Sequence, residues 1–237
     1  MTLQRAWRRG RRGSLEAAES DSSPGPGVVT AIREDPRRPG RYKIDVGAAT
    51  LGPITAEVIG SQGIRVGRML DESALRAIAA AARRLACYDR ATGALARRAR
   101  SGEELRRWLR DREFDSADID EVLLRLTTLG LLDDLAFARG FAHGRAVGRG
   151  YGLRRVEAEL ARRGVASGTL ATVVAELREG VGGNETAAIE RAARRRMRSV
   201  GTLEPAVARR RLLGWLVRRG FPLGECLKVV QGLLPGR

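Results

Sequence analysis

The chain is 237 residues long, 43% hydrophobic and only 4% aromatic, and its 44 basic against 28 acidic side chains give a net charge of +16. That length supports one or two domains with a sizeable core, and an aliphatic, aromatic-poor composition suits packed helices better than a large β-sandwich. No stretch approaches the roughly 18 apolar residues of a membrane helix, the basic N-terminus lacks the apolar run of a secretory signal, and so large a positive excess favours a polyanionic or acidic partner.

Residues 1–26 mix arginines with Ser, Gly and Pro without periodicity and read as a disordered basic tail. Residues 27–70 read as a small α+β module. Val28 to Ile32 and Tyr42 to Val46 are β-branched-rich and flank the turn-rich Pro36-Arg37-Arg38-Pro39-Gly40, which predicts two strands around a loop. Leu51 and the segment Ile54 to Ile59 add a strand or a short helix, and Ile64-Arg65-Val66-Gly67 closes the module. Two strands alone are marginal, so the module is expected to pack on helices.

From Asp71 to the end the spacing predicts helices. Asp71 can cap a long helix running to about Arg98, which carries Leu75, Ile78, Ala82, Leu85 and Leu95. Ser101-Gly102-Glu103-Glu104 has capping-box spacing, and Asp115 can cap the helix after it. Gly164 and Gly220 fall where helix C-termini need a left-handed residue. Pro205 and Pro222 stand where helices begin. Loops are expected at Val181-Gly182-Gly183 and from Ser199 to Thr202.

One segment recurs three times. Leu105 and Leu109, Val156 and Leu160, and Leu212 and Leu216 precede Glu113, Gly164 and Gly220, which lie 51 and 56 residues apart. The apolar residues that follow keep one spacing: Ile119, Val122, Leu123 and Leu126; Leu170, Val173, Val174 and Leu177; Cys226, Val229, Val230 and Leu233. Spacings of three and four place them on one helix face. Trp108 and Trp215 occupy equivalent positions, with Glu159 between them in the order of copies, which suggests packing between helices. The expected fold is mainly α: three tandem three-helix repeats over 71–130, 131–180 and 181–237, forming an elongated arc behind the small N-terminal α+β module.

The second copy is the most distinctive. It reads Leu131-Leu132-Asp133-Asp134-Leu135-Ala136-Phe137-Ala138-Arg139, then Gly150-Tyr151-Gly152-Leu153-Arg154-Arg155-Val156-Glu157-Ala158-Glu159-Leu160. With Arg100-Ser101-Gly102-Glu103-Glu104-Leu105 of the first copy, this resembles the RecX family, bacterial regulators of the RecA recombinase, over roughly residues 70–235. Leu153 stands where that family often has proline, and the third copy carries neither the Asp-Asp nor the Gly-Tyr-Gly signature. The resemblance implies a protein that binds RecA and the RecA–single-stranded DNA filament, lodges in the filament's helical groove, and inhibits its ATPase and strand exchange.

Individual residues have physical readings of their own. Asp133 and Asp134 precede an apolar-periodic run and suit an N-cap better than a metal site, since no other ligand cluster accompanies them. Phe137 and Phe141, four apart, read as core beside Ala138 rather than as a base-stacking platform. Gly150 and Gly152 permit a tight turn around Tyr151, which either staples the turn or offers its hydroxyl to a partner. Glu159 and Leu160 complete the helix signature. Cys87 and Cys226 read as reduced core residues.

Binding is assigned to arginines: Arg145, Arg149, Arg154 and Arg155 around the Tyr151 loop, Arg162 and Arg163 at the end of the next helix, and Arg191, Arg194, Arg195 and Arg198 on one face of the third copy's first helix, with Arg209 and Arg210 on its second. A solvated face with scattered ion pairs is the ordinary alternative. Yet residues 181–237 hold 12 basic and only 4 acidic side chains, so most of these arginines lack a local partner. Catalysis is not expected. His143 is the only histidine, the two lysines, Lys43 and Lys228, lie in no phosphate-binding loop, and the cysteines form no close pair. The expectation is a cytoplasmic, monomeric, non-enzymatic regulator without metal or cofactor, whose basic end reaches acidic RecA surface or DNA directly. A general nucleic-acid-binding repeat protein without a dedicated partner rests on the same charge, and an adaptor for an unrelated acidic protein is a third reading.

Overall fold

A computed structural model describes residues 25–180 and 185–234. The expected tail, apart from its last two residues, and the Val181-Gly182-Gly183 loop lie outside the described residues. The chain divides into two compact units after Leu85.

The first unit is built on an antiparallel sheet of four strands in the order β3-β2-β1-β4. Its strands are β1 (Gly27–Glu34), β2 (Arg41–Val46), β3 (Ala49–Thr55) and β4 (Met69–Leu70), with the short helix α1 (Ala56–Ser61) after β3. Leu51 and Ile54 thus lie in a third strand, and the helix begins only at Ala56, where Thr55 accepts the Val58 amide. The period of two puts Val29, Ile44, Val46 and Ile54 into one core. Ile64, Leu70, Leu75, Ile78 and Ala81 fill the rest of that core.

The segment Ile64 to Gly67 does not form a strand. Gly63 and Gly67 both have left-handed backbones (φ +58° and +86°), which bend the chain on each side of Arg65 and Val66. The Arg68 guanidinium holds the Gly63 carbonyl at 2.6 Å, and the strand that pairs with β1 starts at Met69.

Helix α2 (Glu72–Arg97) starts where Asp71 accepts the Ala74 amide at 2.8 Å. Its second half opens the next unit, with α3 (Gly102–Arg110) and α4 (Ser116–Thr128). Next come α5 (Asp134–His143), a π-helical turn (Gly144–Gly148), α6 (Leu153–Arg162) and α7 (Ser167–Gly180). The last three helices are α8 (Glu185–Val200), α9 (Pro205–Arg218) and α10 (Leu223–Leu233). The fold is mainly α with a small N-terminal α+β module.

Each group of three helices closes its own core. Leu105, Leu109, Ile119 and Leu126 pack with Cys87 and Ala91. Val156, Leu160, Leu170 and Val173 pack with Ala138 and Ala142. Leu212, Leu216, Cys226 and Val230 pack with Ile189 and Ala192. The recurring pairs 105/109, 156/160 and 212/216 are all fully buried.

The turn that ends the middle helix of each group is the same. Glu113, Gly164 and Gly220 take φ of +64°, +79° and +89°. Their amides donate at 2.9 Å to Arg110, Ala161 and Val217, and the next residue's amide reaches back to Leu109, Leu160 and Leu216, a Schellman ending. Glu113 is the one described non-glycine residue with positive φ. The beginnings of these helices differ. Ser101 and Gly152, the N-caps of α3 and α6, lie twelve residues before that turn. Helix α9 starts a full turn earlier, capped by Glu204, so its corresponding residue, Ala208, is buried inside the helix.

Asp115 stands at the N-cap of α4 but its side chain makes no capping bond; its backbone carbonyl accepts from Ile119 instead. Pro222 is the N-cap of α10 rather than its first helical residue.

Candidate interaction surface around Tyr151

The middle helices meet end to end through one recurring joint. At the first, Ser101 Oγ accepts the Glu104 amide at 3.1 Å and donates to the Arg163 carbonyl at 2.5 Å. At the second, the Gly152 amide donates to the Arg219 carbonyl at 2.8 Å. In each case the start of one helix caps the carbonyl end of the corresponding helix in the next group, satisfying groups that helix ends otherwise leave open. An arginine reinforces each joint: Arg107 donates to the Arg162 carbonyl (3.2 Å) and Arg155 to the Arg218 carbonyl (3.0 Å).

These joints explain three glycines. Besides its left-handed backbone, Gly164 has no room for a Cβ, which would overlap the Glu103 side chain; at Gly220 a Cβ would come within 2.6 Å of the Arg155 amide. Gly152 has an ordinary φ of −71°. Its glycine is needed for proximity and not for the turn, because a Cβ would lie 2.7 Å from the Phe221 amide. The turn belongs to Gly150, at φ +62°.

Between these glycines, Tyr151 is a platform for arginines. Arg155, Arg219 and Arg145 lie over its ring at 4.1, 5.1 and 5.8 Å. Glu159 sits beneath, paired with Arg145 at 3.2 Å and Arg155 at 3.0 Å. Arg219 also stacks on Trp215 at 4.2 Å and donates to the carbonyls of Arg149 and Gly150. Burial holds its guanidinium below the ordinary arginine range; Tyr151 opposes that, and Arg195, Arg155 and Arg196 add to it.

The arginines chosen from sequence therefore fall into two sets. Arg145, Arg155, Arg163 and Arg209 are held inside the fold: the first two by Glu159, Arg163 by Glu104 and the Phe141 ring, and Arg209 by the Leu234 carbonyl. Arg149, Arg154, Arg162, Arg191, Arg194, Arg195, Arg198 and Arg210 have exposed side chains. Four of them, at 191, 194, 195 and 198, run along the exposed face of α8, opposite buried Ile189, Ala192 and Ala193. Arg219, at the end of the helix that carries Arg209 and Arg210, belongs with the held set. Its signal is the recurrence of arginine just before the left-handed residue: Arg112, Arg163 and Arg219. Two of the three stack on the tryptophan four residues earlier, Arg112 on Trp108 at 3.7 Å and Arg219 on Trp215.

The remaining motif residues serve the fold. Asp133 caps α5, accepting the Leu135 and Ala136 amides at 2.9 Å. Asp134 reaches across to accept the Gly102 amide of α3 at 2.7 Å. Phe137 and Phe141 stack at 6.1 Å against the core that contains Ala138 and Leu160. Among the described residues no three His, Cys, Asp or Glu side chains gather as metal ligands, and no helix is long and apolar enough to cross a membrane. A basic, aromatic-braced surface of this kind can bind anionic groups.

Two family models match the chain: RecX, first three-helix domain, over residues 87–126, and RecX, second three-helix domain, over residues 133–173. The chain is 35% identical over 146 residues to a protein named Regulatory protein RecX from Amycolatopsis mediterranei (strain U-32), covering 61% of this chain and 79% of that one. To a protein of the same name from Thermobifida fusca (strain YX) the chain is 34% identical over 137 residues, covering 58% of this chain and 72% of that one. Its fold is similar to a crystal structure of regulatory protein RecX, with a TM-score of 0.72 at 18% identity, over 86% of this chain and 98% of that one. A crystal structure of RecX from Lactobacillus salivarius aligns with a TM-score of 0.55 at 15% identity, over 64% and 96%.

Proposed function

The chain belongs to the RecX family of regulatory proteins, and on that premise we propose that it regulates RecA, binding the recombinase and its filament on single-stranded DNA and inhibiting ATP hydrolysis and strand exchange. The observation that carries this reading is the exposed arginine face of α8. Arg191, Arg195 and Arg198 make no ion pair with a described residue, and Arg194 has only a 3.7 Å pair with half-exposed Glu190. Such a face gains little for the fold and is suited to acidic protein surface or phosphates. In this reading the protein acts in the cytoplasm as a monomer, by binding alone, and tandem groups of helices engage neighbouring filament subunits so that weak contacts reinforce one another.

The same charge supports a second reading, general nucleic-acid binding without a dedicated partner. Titrating the protein into single-stranded-DNA-dependent ATP hydrolysis by the cognate RecA, alongside its binding to the same DNA alone at low and high salt, separates the two. Inhibition well below DNA-coating levels supports direct regulation. Inhibition only at coating levels, lost with salt, rejects it in favour of the second. Charge reversal of Arg194, Arg195 and Arg198 together weakens filament binding without unfolding; unchanged inhibition by the folded triple variant removes α8 from the interface.

A further inference from the structure

Between the Gly144–Leu153 segment and α8 lies a cleft of about 350 Å³. Its apolar lining comes from Val147, Leu153, Leu177, Ala188 and Phe221. One wall includes residues of the π-helical turn, a feature that recurs at functional sites. Val147, on that turn, is 53% exposed.

The charges around this cleft are unbalanced. Arg178, Arg191 and Arg195 line it with one carboxylate, Glu185. None of the three arginines is ion-paired to a described residue, and Arg195 lies against Gly150, beside the crowded Arg219. Three guanidinium groups around a single carboxylate are under-compensated, and a bound anion relieves their mutual repulsion. Two aromatic rings, Tyr151 and Phe221, are part of the lining, but neither offers a free face for a base: the Tyr151 ring already carries three arginines, and Phe221 is 4% exposed within the core. Base stacking is what single-stranded nucleic acid ordinarily seeks.

We propose that this cleft is a docking site for an acidic peptide segment of a protein partner, anchored by one bulky apolar side chain. The apolar floor takes the anchor, and Arg178, Arg191 and Arg195 take the flanking carboxylates. The proposal rests on the reading that this protein works by binding another protein.

The test is fluorescence anisotropy with a short labelled peptide of aspartates and glutamates around a central Phe, compared with the same peptide carrying Ser there, and with oligothymidylate of equal charge as competitor. The Phe peptide should bind about tenfold or more tighter than the Ser peptide, as expected for burying one large apolar side chain. Val147→Glu and Arg191→Glu, both at exposed positions, should each weaken the Phe peptide about tenfold while leaving the circular-dichroism melting curve unchanged. Equal affinity for the two peptides, no effect of either variant in folded protein, or displacement of the Phe peptide by equimolar oligothymidylate would overturn the proposal. Inhibition of RecA without peptide binding rejects this site and spares the functional reading; peptide binding without any effect on RecA does the reverse.

Discussion

Gly152 and Arg219 are joined by a 2.8 Å amide-to-carbonyl hydrogen bond, and the approach is so close that Gly152 has no room for a side chain. Gly152→Ala must therefore push the second and third helical groups apart. A loss of about 1–3 kcal/mol is expected, the usual cost of overpacking. Gly140, inside α5, has open space around it. There the same substitution should raise stability by about 0.5–1 kcal/mol, through lost freedom of the unfolded chain. Denaturant unfolding of the two variants should show opposite signs.

Glu113 holds a backbone conformation that costs a side-chain-bearing residue about 1–2 kcal/mol. Glu113→Gly relieves that strain and gives back part of the gain in unfolded-state entropy. A net stabilisation of about 1 kcal/mol is expected. Glu113→Val should destabilise. Chemical denaturation measures both.

The Glu204 carboxylate accepts the Ala206 and Val207 amides at the start of α9, which hold its pKa below the ordinary 4.5. A depressed folded-state pKa contributes stability that is complete above the unfolded value and lost as pH falls through the folded one. Wild type should therefore be more stable than Glu204→Ala at neutral pH. The gap in melting temperature should close below the ordinary value. A gap that stays constant into acid would mean that the cap acts without its charge.

Cys87 and Cys226 are fully buried, and burial pushes both thiols up to about 11, with acidic neighbours adding to the rise. Both remain protonated, inert thiols at neutral pH. Labelling with a thiol reagent should proceed only at the rate of unfolding. Rapid labelling of native protein would show that the first and third cores open locally.

The repeat was legible because burial enforces period: every Leu, Val or Cys in its columns has to face a core, and the spacing alone shows which face. Caps were equally legible at Asp71, Ser101 and Asp133, since their bonds are local. What sequence spacing does not carry is which residue meets which across groups. Gly152 looks like a turn glycine, and only the neighbouring backbone of Gly220 and Phe221 shows why a Cβ is excluded. Arg145 and Arg155 look like free cations until Glu159 and Tyr151 are found beside them. The segment from Ile64 to Gly67 closes the module as a turn, shaped by the left-handed Gly63 and Gly67.

The joint between successive groups has a donor side and an acceptor side, and the first and last groups carry the unused positions in altered form. A helix start twelve residues before the turn must meet a left-handed residue with no Cβ. In the first group the acceptor position is Glu113, which carries a side chain where Gly164 and Gly220 have none. At the trailing end, the donor position is Ala208, sealed inside the extra turn of α9. Head-to-tail repetition of this heterologous joint between two copies would need both positions to match those used inside the molecule.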